Sequence, residues 1–198
     1  MTTAMRPSVG ADGAGATLVA ELAARVRTAT PRLGAVRLVC VDGPAGSGKT
    51  TLANRLSAEL GATVLHMDDL LEGWDGLASI WPRLRQGVLD PLAAGRAGWY
   101  RRYDWTAGAL AEWHVVPVSE VLVLEGVGSA QRAVDSVANL RIWVEAPPGL
   151  RLERGLARDG EDLRSQWLTW MRIEAAHFAV EATRERADVR IDGTSLEL

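Results

Sequence analysis

The chain has 198 residues, a formal net charge of -3, 47% apolar residues and 24% charged residues. That balance fits a folded soluble chain of about one domain. No stretch free of Asp, Glu, Lys and Arg exceeds eight residues, which excludes a transmembrane helix, and the single cysteine, Cys40, excludes an internal disulfide or a cysteine-built zinc site. The acidic balance argues against a nucleic-acid binder, since neutralising phosphates takes a basic face. Of the 22 basic residues 21 are arginine, and the one lysine is Lys49.

Residues 1–14 read as a flexible tail without the apolar core of a signal peptide, so a cytoplasmic protein is expected. An Ala- and Leu-rich helix follows from about Thr17 to Thr28, then a buried strand at Ala35–Val41. After a Gly-rich turn, a helix should run from Lys49 to Leu60 and stop at Gly61. Thr63–His66 is a second strand. Between residues 73 and 118, glycines and prolines interrupt the pattern; one helix near Leu77–Ala94 and extended segments at Trp99–Trp105 and Trp113–Val116 are expected there. Val121–Leu124 and Leu140–Val144 are further buried strands. Pro148 opens a helix through Arg158, a long amphipathic helix covers Asp162–Arg186, and Val189–Ile191 is a last strand. Strands alternating with helices predict a mainly parallel sheet covered on both faces, with ligands beyond the carboxyl ends of the strands.

The residues after the strands are therefore the informative ones. Gly43-Pro-Ala-Gly-Ser-Gly-Lys-Thr50 fits G-x-x-x-x-G-K-[ST] at every fixed position, between a strand and a helix. Glycines allow backbone N–H groups to turn inward around a triphosphate, and the helix start adds its positive field. Gly43, Ala45, Gly46, Ser47, Gly48, Lys49, Thr50 and Thr51 are thus the expected ATP-binding residues. Lys49 is expected as an exposed cation for the β- and γ-phosphates, with the Thr50 hydroxyl placed for Mg²⁺. With Lys49 as the only lysine, no Asn-Lys-x-Asp motif exists, which excludes a GTPase of that type. An AAA-type motor would need more chain. A small phosphotransferase or a stand-alone ATP switch remains.

Asp68 and Asp69 end the second strand where the γ-phosphate should lie, and hydroxyl transfer needs a carboxylate there. Adjacent carboxylates point to different sides, so one can face the substrate while the other helps with metal or capping. Glu125, after Val121–Leu124, is a second acid at the same edge, suited to a Mg²⁺ water shell. Five of the eight tryptophans fall between residues 74 and 113, including Trp74 and Trp105, where indoles could stack on a planar base or exclude water. Trp167 and Trp170, at i and i+3 on the long helix, are expected in the core. Asp75, Arg101, Arg102, Tyr103 and Asp104 offer polar groups for acceptor hydroxyls, at least one of the two arginines being read as a solvated strand face. Arg151, Arg154 and Arg158 share one helical face, a candidate lid over the transferring phosphoryl at about residues 148–162. His114 and His177 are too isolated to assign.

Gly43–Thr51, His66-Met-Asp68-Asp69, Tyr103-Asp104-Trp105 and Leu124-Glu125-Gly126 together resemble the uridine kinase family of P-loop kinases, with its nicotinamide riboside and pantothenate kinase relatives, over about residues 35–160. The resemblance implies a P-loop NTPase three-layer sandwich, with a five-stranded sheet in the order 2-3-1-4-5 and a helical lid. It makes residues 15–198 one kinase domain with an acceptor-binding insertion at about 70–118. It implies Asp68 as base and metal ligand beside Thr50 and Glu125, and an acceptor site lined by the Tyr-Asp-aromatic segment. Catalysis would then rest on Lys49, Asp68, Arg154 and Arg158, and acceptor binding on Asp69, Trp74, Asp75, Arg102, Tyr103, Asp104 and Trp105. Uridine kinases continue this segment with a Thr-His-x-Arg stretch, whereas here the chain runs Trp105-Thr-Ala-Gly-Ala-Leu110. The expected activity is ATP- and Mg²⁺-dependent phosphorylation of a small hydroxylated metabolite, a nucleoside first, without nucleic acid or membrane partners and with homo-oligomerisation open. A nucleoside monophosphate (cytidylate-type) kinase, drawing on Arg101 and Arg102 for the acceptor's phosphate, and a non-enzymatic ATP-binding module are the alternatives.

Overall fold

The structure, a computed structural model, describes residues 11–194, with side chains from residue 15. The expected N-terminal tail lies outside the described residues except at its end, where helix α1 (Ala11–Thr28) begins ahead of the expected Thr17. Strand β1 (Arg37–Asp42) leads through the Gly-rich turn into α2 (Lys49–Leu60), which ends at Gly61 in a left-handed conformation (φ 61°). Strand β2 (Thr63–His66) runs into a short 3₁₀ turn at Met67–Asp69.

The core sheet contains β1, β2, β5 (Val121–Glu125), β6 (Ala138–Glu145) and β7 (Val189–Asp192), in the order β2-β5-β1-β6-β7 and parallel throughout. Counted by core strand this is 2-3-1-4-5, the expected P-loop sandwich. Alternation along β1 divides the core: Val39 and Val41 face α1 and α2, packing with Leu22, Val26, Leu52 and Leu56. Leu38 and Cys40 face the opposite layer, with Leu84, Val88, Leu92 and Trp170. Both faces are buried, which explains strands that read as continuous apolar runs rather than as alternating ones. Asp42, His66, Glu125 and Glu145 all stand at the carboxyl ends of neighbouring strands.

The expected helix at Leu77–Ala94 is a composite run. A 3₁₀ turn at Gly76–Ser79 passes into α3 (Ile80–Leu84), a π-helical stretch at Arg85–Leu89, and α4 (Asp90–Ala93). Gly87 lies in the π stretch, where a Cβ would sit 2.5 Å from the Trp99 carbonyl oxygen, so the missing side chain allows the next strand to approach. That strand, β3 (Gly98–Asp104), pairs antiparallel with β4 (Ala109–Val116) in a separate hairpin, and β4 starts earlier than the extended segment expected from Trp113.

Helix α5 (Pro148–Asp159) and a 3₁₀ turn at Glu161–Leu163 precede α6 (Arg164–Glu181). The single helix expected at Asp162–Arg186 therefore breaks. Ala182 takes a left-handed conformation (φ 50°), and α7 (Thr183–Arg186) starts a new direction. Ion pairs hold this turn: Arg184 Nε donates to Glu145 Oε2 at 2.6 Å and Arg186 binds Asp135. Among the described residues, no helix is long and apolar enough to cross a membrane.

Candidate active site

A cavity of about 800 Å³ opens at the carboxyl ends of β1, β2 and β5, beneath α5 and the first turns of α6. One end is made by the turn after β1. Gly46 (φ 77°) and Gly48 (φ 98°) adopt left-handed conformations that aim successive backbone N–H groups toward one concave side. Ala45, Gly46, Gly48, Lys49, Thr50 and Thr51 line this end. Gly43 supports the turn from behind, since a Cβ there would fall 2.0 Å from the Val144 carbonyl oxygen. Ser47 is buried, with a hydroxyl that meets no partner.

Lys49 is not the exposed cation expected. It is only 7% exposed, and its Nζ donates to the Pro44 carbonyl at 3.0 Å, folded over the loop it belongs to. The reason is tertiary: α5 and α6 lie over the turn. Arg151 of α5 donates to Ala45 O at 3.3 Å and to Glu174 Oε1 of α6 at 2.7 Å, while Glu174 Oε2 accepts the Ala45 N–H at 2.8 Å. Burial pushes the Glu174 carboxyl above its ordinary range, against the pull of that N–H, Lys49 and Arg151. Of the three arginines on α5, Arg151 thus braces the loop from outside, while Arg154 and Arg158 line the cavity. Arg154 donates to Gly46 O and Gly193 O at 3.3 Å, and Arg158 pairs with Asp159 at 2.7 Å with its guanidinium 5.9 Å from the Trp167 ring centre.

Glu125 ends β5 as a buried carboxylate with both oxygens engaged. The Thr50 hydroxyl donates to Oε1 at 3.1 Å and His66 Nδ1 to Oε2 at 2.7 Å, a bond that raises the His66 pKa. Asp68 faces the cavity, open to its interior yet ringed by protein, and this enclosure and then the Glu125 charge push its carboxyl upward. Asp69 turns the other way and accepts the Tyr100 hydroxyl at 2.9 Å, so the two adjacent acids do part as expected. Asp42 lies wholly buried behind the turn. It accepts the N–H groups of Gly43, Gly128 and Ala130 at 2.7–3.0 Å, and burial brings its pKa up to about 6.

The far end of the cavity is aromatic. Trp74 packs edge to face with Trp105, Trp167 and Trp170, at ring-centre distances of 5.5, 6.4 and 6.1 Å. Among the residues expected here, Trp74 and Trp105 line the cavity, whereas Asp69, Asp75, Arg102, Tyr103 and Asp104 do not. Asp75 is exposed. Arg102 bridges Asp104 and Glu112, and Asp104 also accepts the N–H groups of Thr106 and Ala107 at 2.9 Å, closing the hairpin turn. Arg101 donates to the carbonyls of Leu110 and Ala111, so neither arginine lines the cavity.

Sequence reading missed Asp42, His66, Asp159 and Glu174, and placed Trp167 and Trp170 only in the core. His66 was recoverable, because the order 2-3-1-4-5 makes the ends of β2 and β5 neighbours. Glu174, 129 residues from Ala45, left no such signal.

A family model described as an AAA domain matches residues 39–177, and the chain belongs to that family. The match is to the domain, running from β1 into α6, and carries no implication of a motor assembly. A Bacillus stearothermophilus protein described as a possible uridine kinase shares the fold (TM-score 0.64, 19% identity, 88% of this chain and 97% of the other). So does a Silicibacter sp. TM1040 protein provisionally described as a fructose transport system kinase (TM-score 0.60, 21% identity, 89% and 98%). No curated protein matches the sequence. The fold is that of P-loop kinases.

Proposed function

We propose that this protein is an ATP- and Mg²⁺-dependent phosphotransferase that phosphorylates a hydroxyl group of a small metabolite. The family resemblance puts nucleosides first among acceptors to assay. The observation that supports this most directly is a single cavity holding the P-loop amides and Lys49 at one end, Asp68 and Glu125 at its middle, and an aromatic chamber beyond them.

The residues present fit a Mg²⁺–triphosphate. Two left-handed glycines form an anion-binding concavity, and Thr50 and Glu125 put a hydroxyl and a carboxylate side by side next to it. Thr50, Glu125 and Asp68 would hold the ion, which when bound screens charge on the phosphate oxygens. Lys49, released from Pro44 O, supplies a positive charge to those oxygens. Asp68 orients the acceptor hydroxyl and takes its proton. His66 and Thr50 fix the rotamer of Glu125 from both sides. Arg154 and Arg158 add positive charge from the lid, where charge spreads over the moving phosphoryl. The indoles exclude water, which limits hydrolysis in place of transfer.

The test is acceptor-dependent ADP release by the purified chain with Mg-ATP and a panel of nucleosides, sugars and simple alcohols, with the product checked by mass spectrometry. One acceptor should raise ADP release well above the rate without acceptor and gain one phosphoryl group. Equal ADP release with and without every acceptor would overturn the proposal.

A further inference from the structure

Resting on the phosphotransferase reading, we infer that the acceptor is an alcohol with a flat, apolar body, held by ring contacts with the indoles and not by hydrogen bonds to the edge of a base or to a sugar polyol. The two halves of the cavity differ sharply in polar content. Lys49, Arg154, Thr50, Thr51 and Glu125 belong to the phosphate half or its border with Asp68, while Arg158 and Asp159 reach Trp167, paired with each other at 2.7 Å. Beyond Asp68 the walls are Trp74, Trp105, Trp167 and Trp170, filled in by Leu71 and Val127. Among the described residues, no Asn, Gln, Ser, His or Tyr lines the cavity.

Two of the four indole N–H groups are already engaged. Trp105 Nε1 donates to the Asp68 carbonyl at 3.2 Å, and Trp167 Nε1 to Asp159 Oδ2 at 3.0 Å. Those bonds pin the Trp105 ring beside the base and the Trp167 ring beside Asp159, and leave the N–H groups of Trp74 and Trp170 as the indole donors that a ligand can meet. Of the polar candidates from the hairpin, Arg101, Arg102 and Asp104 are engaged in holding its turn and its strands together. A pyrimidine carries an imide edge, and a hexose several hydroxyls. In this chamber two indole N–H groups are the donors they would meet, and each group left unpaired costs about 1–3 kcal/mol. A flat apolar body loses nothing of the kind and gains edge-to-face or offset contacts with the four rings. Its hydroxyl is then the one group needing a polar partner, and Asp68 stands at the chamber's inner end to take it. This separates the acceptor from the nucleosides that the family resemblance suggests.

The test uses the full chain with the non-hydrolysable ATP analogue AMP-PNP and Mg²⁺, and titrates 2-(1-naphthyl)ethanol, uridine, fructose and choline by calorimetry. Naphthylethanol should bind at least tenfold more tightly than the other three. Trp105→Phe, which keeps a ring, should stay within about threefold of wild type, and Trp105→Ala should lose about tenfold. Trp105 is 41% exposed, so neither change threatens the core. Tighter binding of uridine, fructose or choline, or equal binding by Trp105→Ala, would overturn the inference. Because binding is read without turnover, it fails or stands separately from the phosphotransferase reading, which ADP release decides.

Discussion

At the phosphate end of the cavity, the groups that face a ligand come from one turn of consecutive residues, Ala45 to Thr51, and most of them are backbone. At the acceptor end they are side chains drawn from three separate segments: Trp74 ahead of α3, Trp105 at the hairpin turn, and Trp167 and Trp170 on α6. In the proposed function the first end binds what all nucleoside triphosphates share, and its geometry is local and set by glycine. The second must choose among acceptors, and its shape depends on how α5, α6 and the hairpin dock. The phosphate end should therefore be the more sensitive to charge, and the acceptor end the more sensitive to packing between distant segments.

Lys49→Ala should break the phosphate end most completely. Its side chain bonds only within its own loop, so the fold should survive, as circular dichroism would show, while ATP turnover drops by at least about 10²–10³-fold. Wild-type phosphoryl transfer by this variant would refute the assignment of the loop. As the only lysine, Lys49 should also be the one side chain labelled by an amine-reactive ATP analogue.

Asp68→Asn tests the border between the two ends. Loss of a positioned base should lower kcat by about 10²–10⁴-fold, with little change in ATP affinity measured without Mg²⁺. Asp69→Asn should be milder, because Asp69 is turned onto the Tyr100 hydroxyl. A deeper defect in Asp69→Asn would mean the base has been placed on the wrong acid.

Gly155→Ala sharpens the comparison from the acceptor side. A Cβ at Gly155 would lie 2.3 Å from the Trp167 ring, so α5 and α6 must part or the indole must turn. A destabilisation of about 1–3 kcal/mol is expected in denaturant titrations. Acceptor binding should weaken more than AMP-PNP affinity, although the loop is itself tied to α5 and α6 through Arg151 and Glu174. Equal loss of both would show the two ends to be one mechanical unit.

The smallest effect lies outside the cavity, where Asp135 pairs with Arg186 and Arg141 behind the sheet. Those guanidiniums, Arg186 first, hold the Asp135 carboxyl below its ordinary range. A depressed folded pKa contributes stability that is present above the unfolded value of about 3.9 and disappears as pH falls through the folded one. Asp135→Asn should thus cost a little stability at pH 7 and show a shallower acid decline below about pH 4, measured by thermal melts across pH. Parallel pH profiles for the two proteins would show that the pair contributes nothing.

The phosphate end was legible in the sequence because its physics is contiguous. Glycines at fixed spacing, a strand before and a helix after suffice to specify a phosphate cradle, and the parallel sheet followed from apolar strands alternating with helices. Glu125 was legible as the acid ending a buried strand, and Asp68 as an acid placed just past a strand, in the 3₁₀ turn after β2. Only the tertiary structure decided which face each side chain serves. Arg102 and Asp104 look like ligands in a Tyr-Asp-aromatic segment, but in the folded hairpin their charges are engaged by Glu112 and by the turn's own N–H groups. Lys49 reads as exposed until Glu174 and Arg151 draw α6 and α5 over its loop. Trp167 and Trp170 read as core, and they are buried, yet one edge of each also walls the acceptor chamber. Spacing along the chain specifies what neighbouring residues do together; contacts between distant segments are settled by packing, which local sequence does not encode.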